Sequence, residues 1–324
     1  MKNKLLLFII FSLLLIGTCF WAIQSGSLQL SFSELIQGTS EKATIVKDLR
    51  LPRIVLAILA GAALSVAGLL FQAVLRNPLA DAGIIGISAG AQFFSLAILL
   101  FFPKFYFLTP LFAFIGGSIA CLLVFSFSYS SGLKPLQLIV TGVAINAIFS
   151  GLNEIFANQI TQVSSQIVGK SIGFGMKSWG DVRFLFVYVA IGLALALFSA
   201  SWCNLLALSD KNLTSLGLSL TKTRIIIAGI AVLLTAITTA IVGVIAFIGL
   251  LVPHIARGLL KTSDYRLLIP FSSLLGALLL LVADTLGRSL FQMMEIPAAT
   301  VMMLIGGPCL IFLLWKGGKM DGNQ

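Results

Sequence analysis

The sequence predicts an all-α membrane protein, a polytopic bundle of about ten transmembrane helices. Three observations carry that prediction. Hydrophobic residues make up 59% of the 324 positions and charged residues only 10%, where a soluble domain carries about 25% charged. The mean hydropathy is +1.08, and apolar stretches recur along the whole chain, several reaching the ~20 residues that cross a bilayer as a helix. Strand-type alternation is absent, so helices rather than a closed barrel must satisfy the backbone in lipid.

Taken in order, Lys2 and Lys4 lead into an apolar run over 5–22. No small-residue cleavage site follows and many more spans come later, so the run reads as a first span with a cytoplasmic N-terminus. A mixed, polar stretch over 24–47 comes next. Nine further spans are expected near 52–75, 83–101, 108–129, 136–157, 183–203, 224–244, 246–260, 267–287 and 297–315. The 246–260 span is the shortest and is interrupted by Pro253. Within 52–75, Ala57, Gly61 and Ser65 recur at intervals of four, as do Gly86 and Gly90 farther on. Such small-residue faces let helices approach closely, either inside one bundle or at a subunit interface.

Ten spans put both termini on one side. A cytoplasmic N-terminus then places twelve of the 21 basic residues inside and seven of the 11 acidic residues outside or in the membrane, as the positive-inside rule favours. The net charge of +10 is spread over the flanks of the spans. With no run of five or six basic residues, it offers no nucleic-acid patch.

Two connecting segments invite attention. Residues 159–181, expected outside, include Ile160, Val163, Ile167, Gly169 and Gly173, a spacing open to a short amphipathic helix at the membrane surface or a plain loop. Residues 205–224, expected in the cytoplasm, read as helix, glycine, helix. Ser209 or Asp210 can cap the first part, Gly217 can end it, Ser219 can cap the second, and Leu213, Leu216 and Leu218 supply apolar side chains. A partner-docking surface and an ordinary capped loop both fit.

Candidate chemistry is sparse. Cys19, Cys121, Cys203 and Cys309 lie in or beside apolar runs without metal-ligand spacing, and His254 is the only histidine, so no metal site is expected. The VGKS at 168–171 lacks the first glycine of a P-loop, since Ser164 stands at that position. The chain is therefore not expected to be an enzyme or to hydrolyse ATP. Asp81, Glu154, Asp284 and Arg288 are the charges in or near spans, where burial is costly. Asp284 and Arg288 are one helical turn apart and can pair with each other. Asp81 is expected at the cytoplasmic interface. No chain of carboxylates threads successive spans as in an ion-coupled carrier, and no paired acidic motif suits a prenyltransferase.

LRLPR at 49–53, QAVLRNPLADAGIIGISAGA at 72–91, GVIAFIGLLVPHIAR at 243–257, LLLLVADTLGR at 278–288 and EIPAATVMMLIGGP at 295–308 occur in this order. Together they resemble the FecCD/vitamin B12 type permeases of ABC importers over nearly the whole chain. The resemblance implies one permease domain over 1–324, in a bacterial cytoplasmic membrane with both termini inside. It also implies a second permease subunit, two cytoplasmic ATPase subunits that hold ATP-Mg, and an extracytoplasmic solute-binding lipoprotein. No cofactor is implied for this chain. The cargo implied is an iron(III)-siderophore, haem or cobalamin. Arginines of the R-x-P-R and A-D-x-x-x-R motifs receive acidic residues of the binding protein in that family, which points to Arg50, Arg53 and Arg288. The coupling loop of the family falls at 205–224 and its gate segment at 159–181. One departure is Ile296-Pro297-Ala298-Ala299, where many members have P-x-G after the E-x-P element. FGMKSW at 174–179 leans toward haem and siderophore members. An ion-coupled carrier remains the alternative from another class.

Overall fold

A computed structural model describes residues 2–25, 46–83, 85–129, 135–163, 174–175, 177–207, 219–290 and 295–321. Ten α-helices run through them: α1 (Lys2–Gln24), α2 (Leu51–Leu75), α3 (Ile87–Phe101), α4 (Thr109–Tyr129), α5 (Pro135–Val163), α6 (Trp179–Leu206), α7 (Leu220–Val242), α8 (Ile248–Leu260), α9 (Tyr265–Ser289) and α10 (Ala298–Asp321). A single π-helical turn, Val46–Arg50, leads into α2, and a 3-10 turn, Pro103–Leu108, joins α3 to α4. Seven of the described helical segments are long and apolar enough to cross a membrane. The other apolar helices are α3, α8 and the described part of α10, Ala298–Ile311.

The centre of the bundle is α2. It packs against α6, α7, α8 and α9, and its small residues are what allow this. A methyl group on Gly61 would collide with the carbonyl of Gly276 on α9, and one on Gly68 would collide with Gly249 on α8. Ser65 donates to the Ser272 carbonyl across the α2–α9 contact at 2.8 Å. In lipid the hydrophobic effect does not drive helices together, so this close approach and the van der Waals contact it permits supply the cohesion. Gly90 and Gly116 interlock α3 with α4 in the same way. The stripes at intervals of four are thus packing surfaces within one chain. The helix stops where Arg76 turns left-handed at φ 46°, just before Asn77-Pro78.

Two helices begin inside the bundle. At 15 and 13 residues, α3 and α8 span only about 20 Å each at ~1.5 Å per residue, short of the ~30 Å hydrocarbon core. Near the start of α3, the Ala89 carbonyl accepts from Asn153 Nδ2 at 2.9 Å, well along α5. Gly86 turns the chain into α3 at φ 84°, and a Cβ there would press on the backbone of Asn146. The 246–260 span is therefore a separate helix, starting at Ile248 and carrying Pro253 without ending there.

Several boundaries move. Ile160 and Val163 belong to the last turns of α5, so the segment placed at 159–181 starts within a helix. At its other end α6 begins at Trp179, where Asp181 Oδ2 reaches back to accept from the Ser178 amide at 2.8 Å and from its hydroxyl at 2.9 Å, so the N3 carboxylate satisfies the N-cap donors. Ser219 caps α7 as expected, its hydroxyl accepting from the Lys222 amide at 3.3 Å. Ile167, Gly169 and Gly173, and Ser209, Asp210, Leu213, Leu216, Gly217 and Leu218, lie outside the described residues.

Candidate functional site

One end of the bundle gathers the C-terminus of α1, the start of α2, the C-terminus of α9 and the start of α10. Arg50 and Arg53 come from the entry to α2, Asp284 and Arg288 from the last turns of α9, and Glu295 from the segment before α10. Asp284 is the hub. Its side chain is fully buried, yet it accepts from Arg53 Nη2 at 2.9 Å, from Arg53 Nε at 3.1 Å and from Arg288 Nε at 3.2 Å. A buried carboxylate in a membrane bundle persists only when paired and hydrogen-bonded, and two guanidinium groups meet that need here. Arg53 continues outward, its Nη1 donating to Glu295 Oε2 at 2.7 Å.

The other two arginines tie α1 to the cluster. Arg50 Nη1 donates to the Ile23 carbonyl at 2.9 Å. Arg288 reaches the carbonyls of Ala22 and Ser25 at 3.4 Å each. These carbonyls lie at or just past the end of α1, where helix carbonyls lack intrahelical partners and the dipole is negative, so a cation suits them. Three guanidinium groups thus meet two carboxylates, leaving a local excess of positive charge facing one end of the bundle. The helical-turn pair predicted between Asp284 and Arg288 forms, and Arg53 joins it from 231 positions away.

A cavity of about 180 Å³ adjoins the cluster, lined by Arg53, Glu295, Ile296 and Pro297 together with Phe174 and Gly175 and the connector from Val242 to Ile245. A second cavity, of about 380 Å³, lies where α3 and α8 begin, with Asp81, Gln92, Asn146, Ser150 and Asn153 on its wall. Asp81, expected at the cytoplasmic interface, lies on that cavity wall within the protein. It is buried, with a carboxylate oxygen against Gly249 at the first turn of α8, because the chain between α2 and α3 folds back into the bundle.

The opposite end is held by polar caps in which Arg76, Arg257 and Asp264 each meet an amide or a carbonyl. Asn204 at the end of α6 donates to Asp264 at 2.7 Å and accepts from the Tyr265 amide at 2.8 Å. The Asn204 amide and the Arg266 backbone N–H hold the Asp264 carboxyl below the usual carboxylate range. Arg76 caps α6 by donating to the Leu206 carbonyl at 2.6 Å, and Arg257 of α8 donates to Gln72 of α2 at 2.5 Å. Sequence reading missed Glu295 as a partner of Arg53, although it stands in the EIP element. It also missed the α1 carbonyls. Neither contact leaves a trace in local spacing.

Among the described residues no group of three or more His, Cys, Asp or Glu side chains could hold a metal ion. What the arrangement offers is a bundle of apolar helices, with two short helices starting at a cavity that carries a few polar side chains, and a cationic cluster at one end. That is the architecture of a polytopic transport permease. The chain belongs to the FecCD transport family, whose model matches residues 7–316. It is 41% identical over 322 residues, covering 98% of each chain, to the "Probable heme-iron transport system permease protein IsdF" of Staphylococcus aureus strain MSSA476, and equally to that of strain Newman. A solved metal-chelate type ABC transporter in an inward-facing conformation superposes with a TM-score of 0.79 at 29% identity, covering 97% of this chain and 99% of that one. PsaBC from Streptococcus pneumoniae in complex with Fab shares the fold, with a TM-score of 0.59 at 16% identity over 87% of this chain and 95% of that one.

Proposed function

We propose that this chain is the permease subunit of a binding-protein-dependent ABC importer that carries an iron chelate, haem or an iron(III)-siderophore, into a bacterial cell. The observation that carries this reading is the end-to-end likeness, at 41% identity, to permeases named for heme-iron transport. The chain pairs with a second permease subunit. Two ATPase subunits supply the energy and hold ATP-Mg, so ATP chemistry takes place outside this chain. The termini lie in the cytoplasm, which puts the arginine–carboxylate cluster on the outer face and the Asn204–Asp264 end inside.

In this reading Arg50, Arg53 and Arg288 receive acidic side chains of an extracytoplasmic solute-binding lipoprotein. The excess of guanidinium over carboxylate at that end supports the assignment, since complementary charge steers docking and fixes its register. The loop at 205–224 carries ATPase closure into the bundle through α6 and α7, which it joins. The segment at 159–181 joins α5 to α6 and gates the outer mouth. The cargo passes along the subunit interface without chemical change.

The test is uptake and ATPase stimulation by the permease reconstituted with its ATPase and binding proteins, with haemin, a ferric hydroxamate siderophore and cobalamin compared side by side. Stimulation by an iron chelate and uptake that stops when ATP is withdrawn are expected. Stimulation by cobalamin alone would move the cargo to the other branch of the family. Uptake that continues without ATP but collapses with an ionophore would replace the proposal with an ion-coupled carrier.

A further inference from the structure

The donors of Arg53 are unequally placed. Nε and Nη2 turn inward to Asp284, whose side chain is 0% exposed. Nη1 turns the other way, to Glu295, whose side chain is 62% exposed. The inward edge is inaccessible to any molecule outside the bundle. An acidic side chain approaching Arg53 must therefore come to Nη1, and a carboxylate of this same chain already stands there.

We propose that Glu295 is a stand-in for the acidic side chain of the docking partner: the partner's carboxylate takes its place on Nη1 of Arg53, and docking is an exchange of one carboxylate for another. The proposal rests on the docking reading given above. The exchange is physically easy on both sides. Glu295 is mostly exposed, so once released it returns to water at little cost, and exposed ion pairs are weak. Arg53 is held by Asp284 through two of its nitrogens, so the incoming acid meets a fixed, planar donor, and little ordering is needed on the permease side. While no partner is bound, Glu295 keeps a cation from standing unpaired and keeps unrelated acids off it. That makes Glu295 a residue that sets docking specificity.

The position of Glu295 gives the exchange a consequence inside the bundle. The next residue, Ile296, donates its amide to the Gly287 carbonyl of α9 at 3.0 Å, and the Pro297 carbonyl accepts from the Thr300 and Val301 amides in the first turn of α10. Glu295 and Arg53 also form one wall of the 180 Å³ cavity, whose other walls are Phe174, Gly175 and the Val242–Ile245 connector. Empty space on that side lets the 295–297 segment shift when its carboxylate leaves Arg53. The start of α10, the residues just before α6 and the α7–α8 connector meet around the same void. Occupancy of Nη1 can thus be read by three elements at once.

The experiment uses the full transporter in lipid nanodiscs and the solute-binding protein encoded with it. Glu295→Gln keeps the size and removes the charge at an exposed position, so the fold is retained. It should tighten binding of that protein about two- to fivefold, the range that exposed ion pairs allow. Arg53→Gln should weaken it at least ~10-fold, and adding Glu295→Gln to Arg53→Gln should give no further gain. With no partner present, the Ile296 amide should exchange with deuterium faster in Glu295→Gln than in the parent. If Glu295→Gln binds no tighter while Arg53→Gln loses binding, Glu295 is not a stand-in and the docking reading stands. Unchanged exchange at Ile296 sinks the coupling to α10. If Arg53→Gln binds as well as the parent, the docking reading fails, and the exchange with it.

Discussion

Helices α1 and α2 have the same hydropathy and opposite fates. Their most apolar windows both average 2.6, yet 83% of the α2 window is buried inside the protein and only 6% of the α1 window. The difference lies in side-chain size. Between Ala57 and Gly68, α2 carries eight alanines, glycines and serines, while α1 is built mainly from leucine, isoleucine and phenylalanine, with Gly17 in its second half. Large apolar side chains are content in lipid; small ones gain little there and are useful only where another backbone comes close. Hydropathy therefore tells that a segment enters the membrane, and the small-residue pattern tells how deep in the bundle it sits. The first helix leans on α9 through edge-on contacts of Phe8 and Phe11 with Phe271, at 5.0 and 5.4 Å, and is tied at its C-terminus by Arg50 and Arg288.

The contrast can be broken most sharply at glycines. Gly68→Leu in α2 would drive a side chain into the Gly249 backbone, and Gly17→Leu in α1 meets nothing within 4 Å. The first should abolish accumulation of folded permease, measured as monodisperse protein after detergent extraction, since overpacking costs ~1–3 kcal/mol even where side chains can shift, and here the obstacle is backbone. The second should leave the yield unchanged. Equal yields from the two variants would mean that small residues do not place α2 at the centre.

Asp284→Ala should come next in size. It leaves two buried guanidinium groups short of a partner, a loss of about 3–5 kcal/mol for a broken buried pair. A thermal-shift assay in detergent should show it. Because Arg288 would lose its anchor, cleavage by protease just after α1 should also quicken. Ser65→Ala is the mildest change. It removes the hydrogen bond to Ser272 while keeping the small residue, and bonds of this kind between membrane helices are worth about 0.6 kcal/mol. A shift as large as that of Asp284→Ala would make the bond, rather than the close approach, the main tie between α2 and α9.

The site was legible in part. The Asp284–Arg288 pair follows from helical spacing. Arg50, Arg53 and Arg288 were singled out through the family motifs, and the structure brings all three to one end of the bundle. What spacing could not reveal is that Arg53 bonds to Asp284 and Glu295 across 231 and 242 positions, because such contacts depend on how α2, α9 and α10 are arranged in space. The burial of Asp81 was hidden for a related reason. A polar residue beside a proline break resembles a loop at the surface, and only the inward fold of the segment before α3 buries it.

The sequence by itself determined that this is a ten-helix membrane protein, and that α2 carries a face made for close packing. Those properties are local: apolar runs set the spans, and residue size at intervals of four sets the face. The tertiary structure decided what that face meets, where α3 and α8 begin, and which carboxylate each arginine holds. These are settled by contacts between distant segments, each with several possible partners along the chain, and only the assembled bundle selects among them.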